Sequence, residues 1–400
     1  MLKLLIFSSL LCAVFGNSNH RCDEQEALTN LRRPTRDFAF NILDILTVDY
    51  GNHFVYSPIT TWLHLLELAE GARNGTQSEI LNVLDIAQYQ RNKCFRRVLP
   101  RIFNSLDTEL SPTLIRKNLI AIDRRFEVKY SYIKKVKKFK GTNLISLNLR
   151  NNVESAAIIN EFFKKHGNGF FTNEIEAKDL ELPFMLTNDI AYIKADWKTP
   201  FNAAYTKSET FYSQKTKGKV NMMNQVGFFN LTYVSDVEAQ ALELPFNNRA
   251  TMIILLPNEN RKVTDLFALI KNINVFNVFN PASSKLVNIK MPRFKQTTNI
   301  SNMPRYMFQM GIEKMFIPNI ANFGQMTDSN VFVSKMKSSI DIEVEETGVT
   351  AKATGFVEPL IRTDEDPVDF TLNRPFAYLI VDKVAEIILF GGIYSEPSLY

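Results

Sequence analysis

The feature that most constrains how this chain can fold is a change of periodicity part way along it. Up to about residue 180 apolar residues recur mainly at helical spacing, and from about residue 185 short β-type runs take over. Residues 24–48 carry Leu28, Leu31, Phe38, Ile42, Leu43 and Leu46 on one helical stripe, and FVYSPIT ends that stripe at Ser57 and Pro58. A second helix reads TTWLHLLELAEGA, and residues 153–166 form another before Gly167. Only LIRKNLIAID and TNLISLNL interrupt the helical half as strands. The later runs IAYIKADW, ALELPF, ATMIILLP, LVNIKMPRF, FAYLIV and AEIILFGG are strands. Helices first and strands later specify an α+β protein, not an alternating parallel one.

Composition adds exclusions. The 400 residues are 45% hydrophobic, with 15 Gly and 16 Pro that form no obvious hinge, so a single continuous core is expected. A formal charge of +5 provides no chain-wide field for nucleic acid. The four histidines, His20, His53, His64 and His166, show no metal spacing, and neither a nucleophile elbow nor a phosphate loop is present. We therefore expect no metal, no cofactor and no enzymatic activity.

Residues 1–16 read as a secretory signal peptide: Lys3, the apolar run LLIFSSLLCAVF, then small residues up to Gly16. The run is shorter than the roughly 20 apolar residues a membrane span needs, and no later stretch reaches that length. Secretion would leave Cys22 and Cys94, able to form one disulfide or to remain as thiols. Sequons at Asn74, Asn230 and Asn299 are candidate glycosylation sites.

The segment 343–376 has an unusual layout: an acidic β-like approach, small residues, an apolar patch, one arginine, an acidic stretch and a Pro-Phe strand. Val349, Ala351, Ala353, Gly355 and Val357 alternate with Thr350, Lys352, Thr354, Phe356 and Glu358. Period two makes this loop a latent strand with one small, mostly apolar face.

Flanking this segment, FVYSPITTWLHLLELAEGARNGTQSEI, then WKTPF with TFYS and VNMMNQ, ALELPF with MIILLP, MPRF, GIEKMF, VSKMKSSIDIEVEETG and NRPFAYLIVDKVAEIILFGG follow in an order that resembles the serpin family along nearly the whole mature chain. The resemblance implies a single domain over 17–400, about nine helices and three sheets, and an exposed reactive-centre loop at about 347–370. It also implies inhibition of serine proteases by cleavage of that loop and its insertion into a sheet. In the family the hinge glutamate lies sixteen residues before the acyl-side residue of the scissile bond; counting from Glu346, two before hinge Gly348, reaches Arg362. Arg362 is also the only basic residue between Lys352 and Arg374. The bond between Arg362 and Thr363 is thus the expected bait, suited to a trypsin-like protease that ends in a covalent acyl complex.

Hinge residues Val349, Ala351 and Ala353 would point inward on insertion. By the same resemblance Arg293 should pair with Glu346, and Trp197, Ser57, Pro58 and Thr60 should mark the region where the sheet opens. Two positions depart from the pattern: Asp189 stands where relatives have asparagine, beside Asn188, and Ser338 replaces the usual histidine. These departures keep open a non-inhibitory serpin acting as a binding or carrier protein. Lys93, Arg97 and Arg101 recur every four residues near a helix through which some members bind heparin-like polysaccharides. In some relatives a disulfide ties the N-terminal segment to this region, which favours Cys22–Cys94. A secreted monomer is expected, with neither nucleic acid nor membrane as partner.

Overall fold

The computed structural model describes residues 23–346 and 366–400, apart from residues 52, 91, 112, 183, 195, 214 and 215. The expected signal peptide, Cys22, the expected hinge residues Gly348, Val349, Ala351 and Ala353, and the expected reactive bond between Arg362 and Thr363 all lie outside the described residues. The α-helices are α1 Glu24–Tyr50, α2 Pro58–Gly71, α3 Asn74–Val83, α4 Lys93–Glu109, α5 Tyr130–Val136, α6 Asn152–His166, α7 Leu266–Ile270 and α8 Met303–Met310. The strands of the first half are β1 Phe54–Tyr56, β2 Leu114–Asp123, β3 Thr142–Leu147, β4 Met185–Lys194, β5 Lys207–Tyr212, β6 Lys217–Val234 and β7 Ala239–Pro245. They are followed by β8 Ala250–Pro257, β9 Ser284–Pro292, β10 Phe294–Ile300, β11 Val333–Val344, β12 Val368–Thr371, β13 Phe376–Asp382 and β14 Ile387–Tyr394.

Among the described residues these strands make two sheets. One has nine strands, in the order β1-β14-β13-β8-β7-β6-β9-β12, with β5 also on β6; the other has five, in the order β10-β11-β4-β2-β3. The architecture is the expected α+β, with eight α-helices and two sheets where about nine and three were expected. One cause is β6, whose first residues pair with β5, whose middle pairs with β9 and whose last residues pair with β7, so that two sheet regions run into one. The loop expected over 347–370 also ends sooner, because Val368–Thr371 pairs in parallel with β9.

The large core lies between α1, α2 and the strands β13, β14 and β8. Gly392 allows the sheet to close there: a Cβ would stand 2.5 Å from the Phe54 carbonyl oxygen and 2.5 Å from the Tyr378 hydroxyl. A second, smaller core packs α6, through Ala156, Ile159 and Phe163, against Leu119, Leu186 and Ile190 on the other face of the five-stranded sheet. That sheet is therefore sandwiched between α2 on one face and α6 on the other. Alternation along β4 sends Asp189, Ala191 and Ile193 toward α2, and Asn188, Ile190 and Tyr192 toward α6.

Candidate functional site

Within the five-stranded sheet, β4 and β11 are parallel neighbours, in continuous register from Leu186 opposite Lys335 to Lys194 opposite Glu343 after a bulge between Val333 and Lys335. Their outer partners, β2 and β10, are antiparallel to them. The chain leaves this seam at its upper end, through Val344 and Glu346, and returns as β12 at the edge of the other sheet. Any strand that turned back from the end of β11 into the seam would run antiparallel to both β11 and β4. It would replace one parallel ladder, the slightly weaker kind, by two antiparallel ones.

The upper end of the seam is clamped. Trp197 is buried against Phe246, ring centroids 4.8 Å apart, and donates its indole N–H to the Glu345 carbonyl at 2.7 Å. The Glu346 carboxylate accepts from the Thr206 hydroxyl at 2.7 Å and lies 3.6 Å from Arg293 Nη1, so the expected pair is present. Lys194 bridges Glu343 at 2.9 Å and Glu345 at 2.7 Å, and Lys295 reaches Glu343 at 3.1 Å. Burial alone would raise the Glu343 carboxyl, but the two lysines outweigh it and hold it below the usual range. Tyr400 joins the clamp: its carbonyl oxygen accepts from Arg293 Nε at 2.6 Å and Asn221 Nδ2 at 2.8 Å, and its phenol donates to Glu345 at 3.1 Å.

The middle of the seam is polar and buried. Pro58 opens α2 at a position where a missing N–H costs nothing. The Ser57 hydroxyl meets Thr60 Oγ1 at 2.8 Å and donates to the Leu389 carbonyl at 2.8 Å, which ties α2 to β14. The next residue, Thr61, donates to Asp189 Oδ2 at 2.5 Å and lies 2.5 Å from the Tyr56 hydroxyl. Asp189 in turn sits directly opposite Ser338 across the seam, so the registers of the two departures from the family pattern coincide. The neighbouring Asn188 pairs with Lys337 and faces α6. Burial pushes the Asp189 carboxyl up to about 6, against the hydroxyls of Ser338 and Thr61, which favour its ionised form. Among the described residues, neither the Asn188 amide, on the α6 side, nor the Thr187 hydroxyl, on the α2 side with Asp189, has a hydrogen-bond partner.

Tyr56, Thr61 and Tyr400 escape a reading of the sequence. For Thr61 a signal exists: α2 is buried almost all round, so a hydroxyl among its apolar residues needs a partner. Tyr400 has none, because its contacts are made across 55 to 179 residues of chain.

Other expected positions lie away from the seam. Lys93, Arg97 and Arg101 are exposed along α4. Asn92 caps that helix by accepting from Phe95 N at 3.0 Å, which puts Cys94 inside its first turn. Cys94 is disulfide-bonded. Asn74 and Asn299 are exposed, whereas Asn230 is half-buried with its amide donating to Glu243 at 2.6 Å.

Comparison with known proteins gives this geometry its context. The family model for Serpin (serine protease inhibitor) matches residues 33–397. The human (Homo sapiens) Protein Z-dependent protease inhibitor is 27% identical over 385 residues, which cover 92% of this chain and 83% of the relative. Serpin48 of the insect Tenebrio molitor superposes with a TM-score of 0.81 at 22% identity, over 94% of this chain and all of its own. Native protease nexin-1, solved with heparin, gives 0.81 at 20% identity over 93% of this chain and all of its own. With the family model matched over most of its length, the chain belongs to the serpin family.

Proposed function

We propose that this serpin is a secreted suicide-substrate inhibitor of a trypsin-like serine protease. The observation that carries the reading is the parallel seam between β4 and β11, continuous at Glu346 with the segment that holds Arg362 sixteen residues on. The protease serine attacks the Arg362 carbonyl carbon, the bond to the Thr363 nitrogen breaks, and the amine takes the proton as it leaves. The acyl-enzyme remains on Arg362. Released from its second anchor, the segment behind Arg362 enters the seam as a strand, with Val349, Ala351 and Ala353 inward, and carries the protease along. A strand as long as β4, which has 10 residues, would gain backbone hydrogen bonds worth about 0.5–1.5 kcal/mol each. That sum is enough to drive a distortion of the attached enzyme.

Several subsidiary features belong to the same reading. Residues 1–16 are removed on secretion, Cys22 bonds Cys94, Asn74 and Asn299 carry glycans, and the α4 stripe of Lys93, Arg97 and Arg101 binds a heparin-like polysaccharide. The protein acts as a monomer and turns over no substrate of its own. Incubation with trypsin-like proteases tests the proposal: an SDS-resistant complex is expected, with mass spectrometry placing the cut after Arg362. Quantitative cleavage at Arg362 without any complex would favour the second reading, a non-inhibitory binding protein, for which the altered Asp189–Ser338 pair at the seam is the supporting observation.

A further inference from the structure

A cavity of about 440 Å³ lies between α2, α3, α4 and the chain that follows α5. Its volume falls among those of small-molecule sites, about 300–1,000 Å³. Leu66 and Ala69 of α2, Leu81 of α3, Ile86, Leu99 of α4 and Phe139 give it an apolar floor. The rim is cationic: Lys93, Arg96 and Arg97 come from α4, and Lys135 and Lys138 stand across from them. The only carboxylate in this lining, Glu70, is already committed, to Arg96 at 2.8 Å and Lys135 at 3.0 Å. Lys93 and Lys138 are left with no ion-pair partner among the described residues. The rim is also held in place, because Asn104 on α4 donates to the Lys138 carbonyl at 2.7 Å and accepts from Lys140 N at 2.9 Å.

We propose that this cavity binds an amphipathic monoanion of the fatty-acid class, its apolar chain on the Leu66–Leu99 floor and its carboxylate between Lys93 and Lys138. Covering the apolar floor removes its surface from water, and the unpaired ammonium groups select a negative head. A sulfated polysaccharide, all polar and multiply charged, offers nothing for the floor. It would lie instead along the exposed stripe, of which Arg101 lies outside the cavity lining. The two sites therefore separate by mutation.

The experiment is calorimetric titration of the full chain with dodecanoate below its micellar concentration, with dodecanol as the uncharged control. We expect one dodecanoate per chain and at least tenfold weaker binding of dodecanol. The surface double variant Lys93→Glu with Lys138→Glu should weaken dodecanoate at least tenfold. Gln90→Trp, which narrows the mouth, should weaken dodecanoate and dodecanol alike. Arg101→Glu should leave dodecanoate untouched while lowering retention on heparin. Absence of binding at millimolar dodecanoate would overturn the proposal. So would equal binding of the acid and the alcohol, or binding of phosphatidylserine vesicles without binding of the monomeric acid.

Discussion

The two sheets of this molecule are built on opposite plans. In the nine-stranded sheet, β13 lies fully buried between antiparallel neighbours, its Tyr378, Leu379 and Ile380 facing Ile254, Ile253 and Met252 of β8 and Gly392, Gly391 and Phe390 of β14. Apolar side chains meet apolar side chains of β8, and on the other flank the two glycines let β14 approach closely. In the five-stranded sheet, the parallel seam of β4 and β11 has Asn188 against Lys337 and Asp189 against Ser338 at its middle, and charged clamps at its upper end. One ladder is made to stay closed. The other combines the weaker pairing with buried polar groups, and both properties lower the cost of parting it. On the proposed reading, conformational work falls on this one seam, with the neighbouring sheet as its frame.

This contrast can be broken at several points, and the effects should descend in size. Ile380→Ala in the frame should cost about 2–5 kcal/mol in chemical denaturation, because a fully buried side chain leaves a cavity. It should change stability without opening the seam, as measured by uptake of a synthetic peptide matching 347–362.

Asp189→Asn should act in the opposite direction, in a pH-dependent way. The wild-type carboxyl is protonated in the fold up to about 6, but in the unfolded chain only to the usual carboxylate value. Between about pH 4 and 6 the folded state holds the extra proton, so this group's contribution to stability falls as pH rises through that window. The variant escapes the loss, and its advantage over wild type should grow to about 2–3 kcal/mol at pH 8 while nearly vanishing at pH 4. Urea melts at the two pH values check this; an advantage independent of pH would show that Asp189 does not titrate as buried.

Smaller effects belong to the clamp. Arg293→Ala should cost about 1 kcal/mol or less of global stability, since the pair with Glu346 is partly exposed. It should nevertheless speed peptide uptake several-fold, because the lost contact is at the point of entry. Tyr400→Phe, which removes only the hydrogen bond to Glu345, should give a smaller acceleration in the same assay. Equal uptake by wild type and both variants would mean that the upper clamp does not govern opening.

Much of the frame is legible in the sequence, for a physical reason. Runs such as ATMIILLP and FAYLIV are apolar because they are buried on both faces, and their composition alone identifies them. The strand β6 is harder to read, because along KGKVNMMNQVGFFNLTYV buried and exposed positions alternate irregularly as its partners change. At the site, Arg293 and Glu346 could be paired from the family's motifs. The Tyr56–Thr61–Asp189 chain could not, because Thr61 and Asp189 meet only through the packing of α2 under β4, 128 residues apart.

The central claim is that the seam between β4 and β11 accepts the chain that follows Glu346 once the bond after Arg362 is cut. Its most direct test is the melting temperature of the cleaved protein against the intact one, measured under the same conditions. Insertion predicts a rise of about 10 °C or more, since an added central strand contributes many backbone hydrogen bonds. A melting temperature that stays the same or falls after complete cleavage at Arg362 would contradict the account.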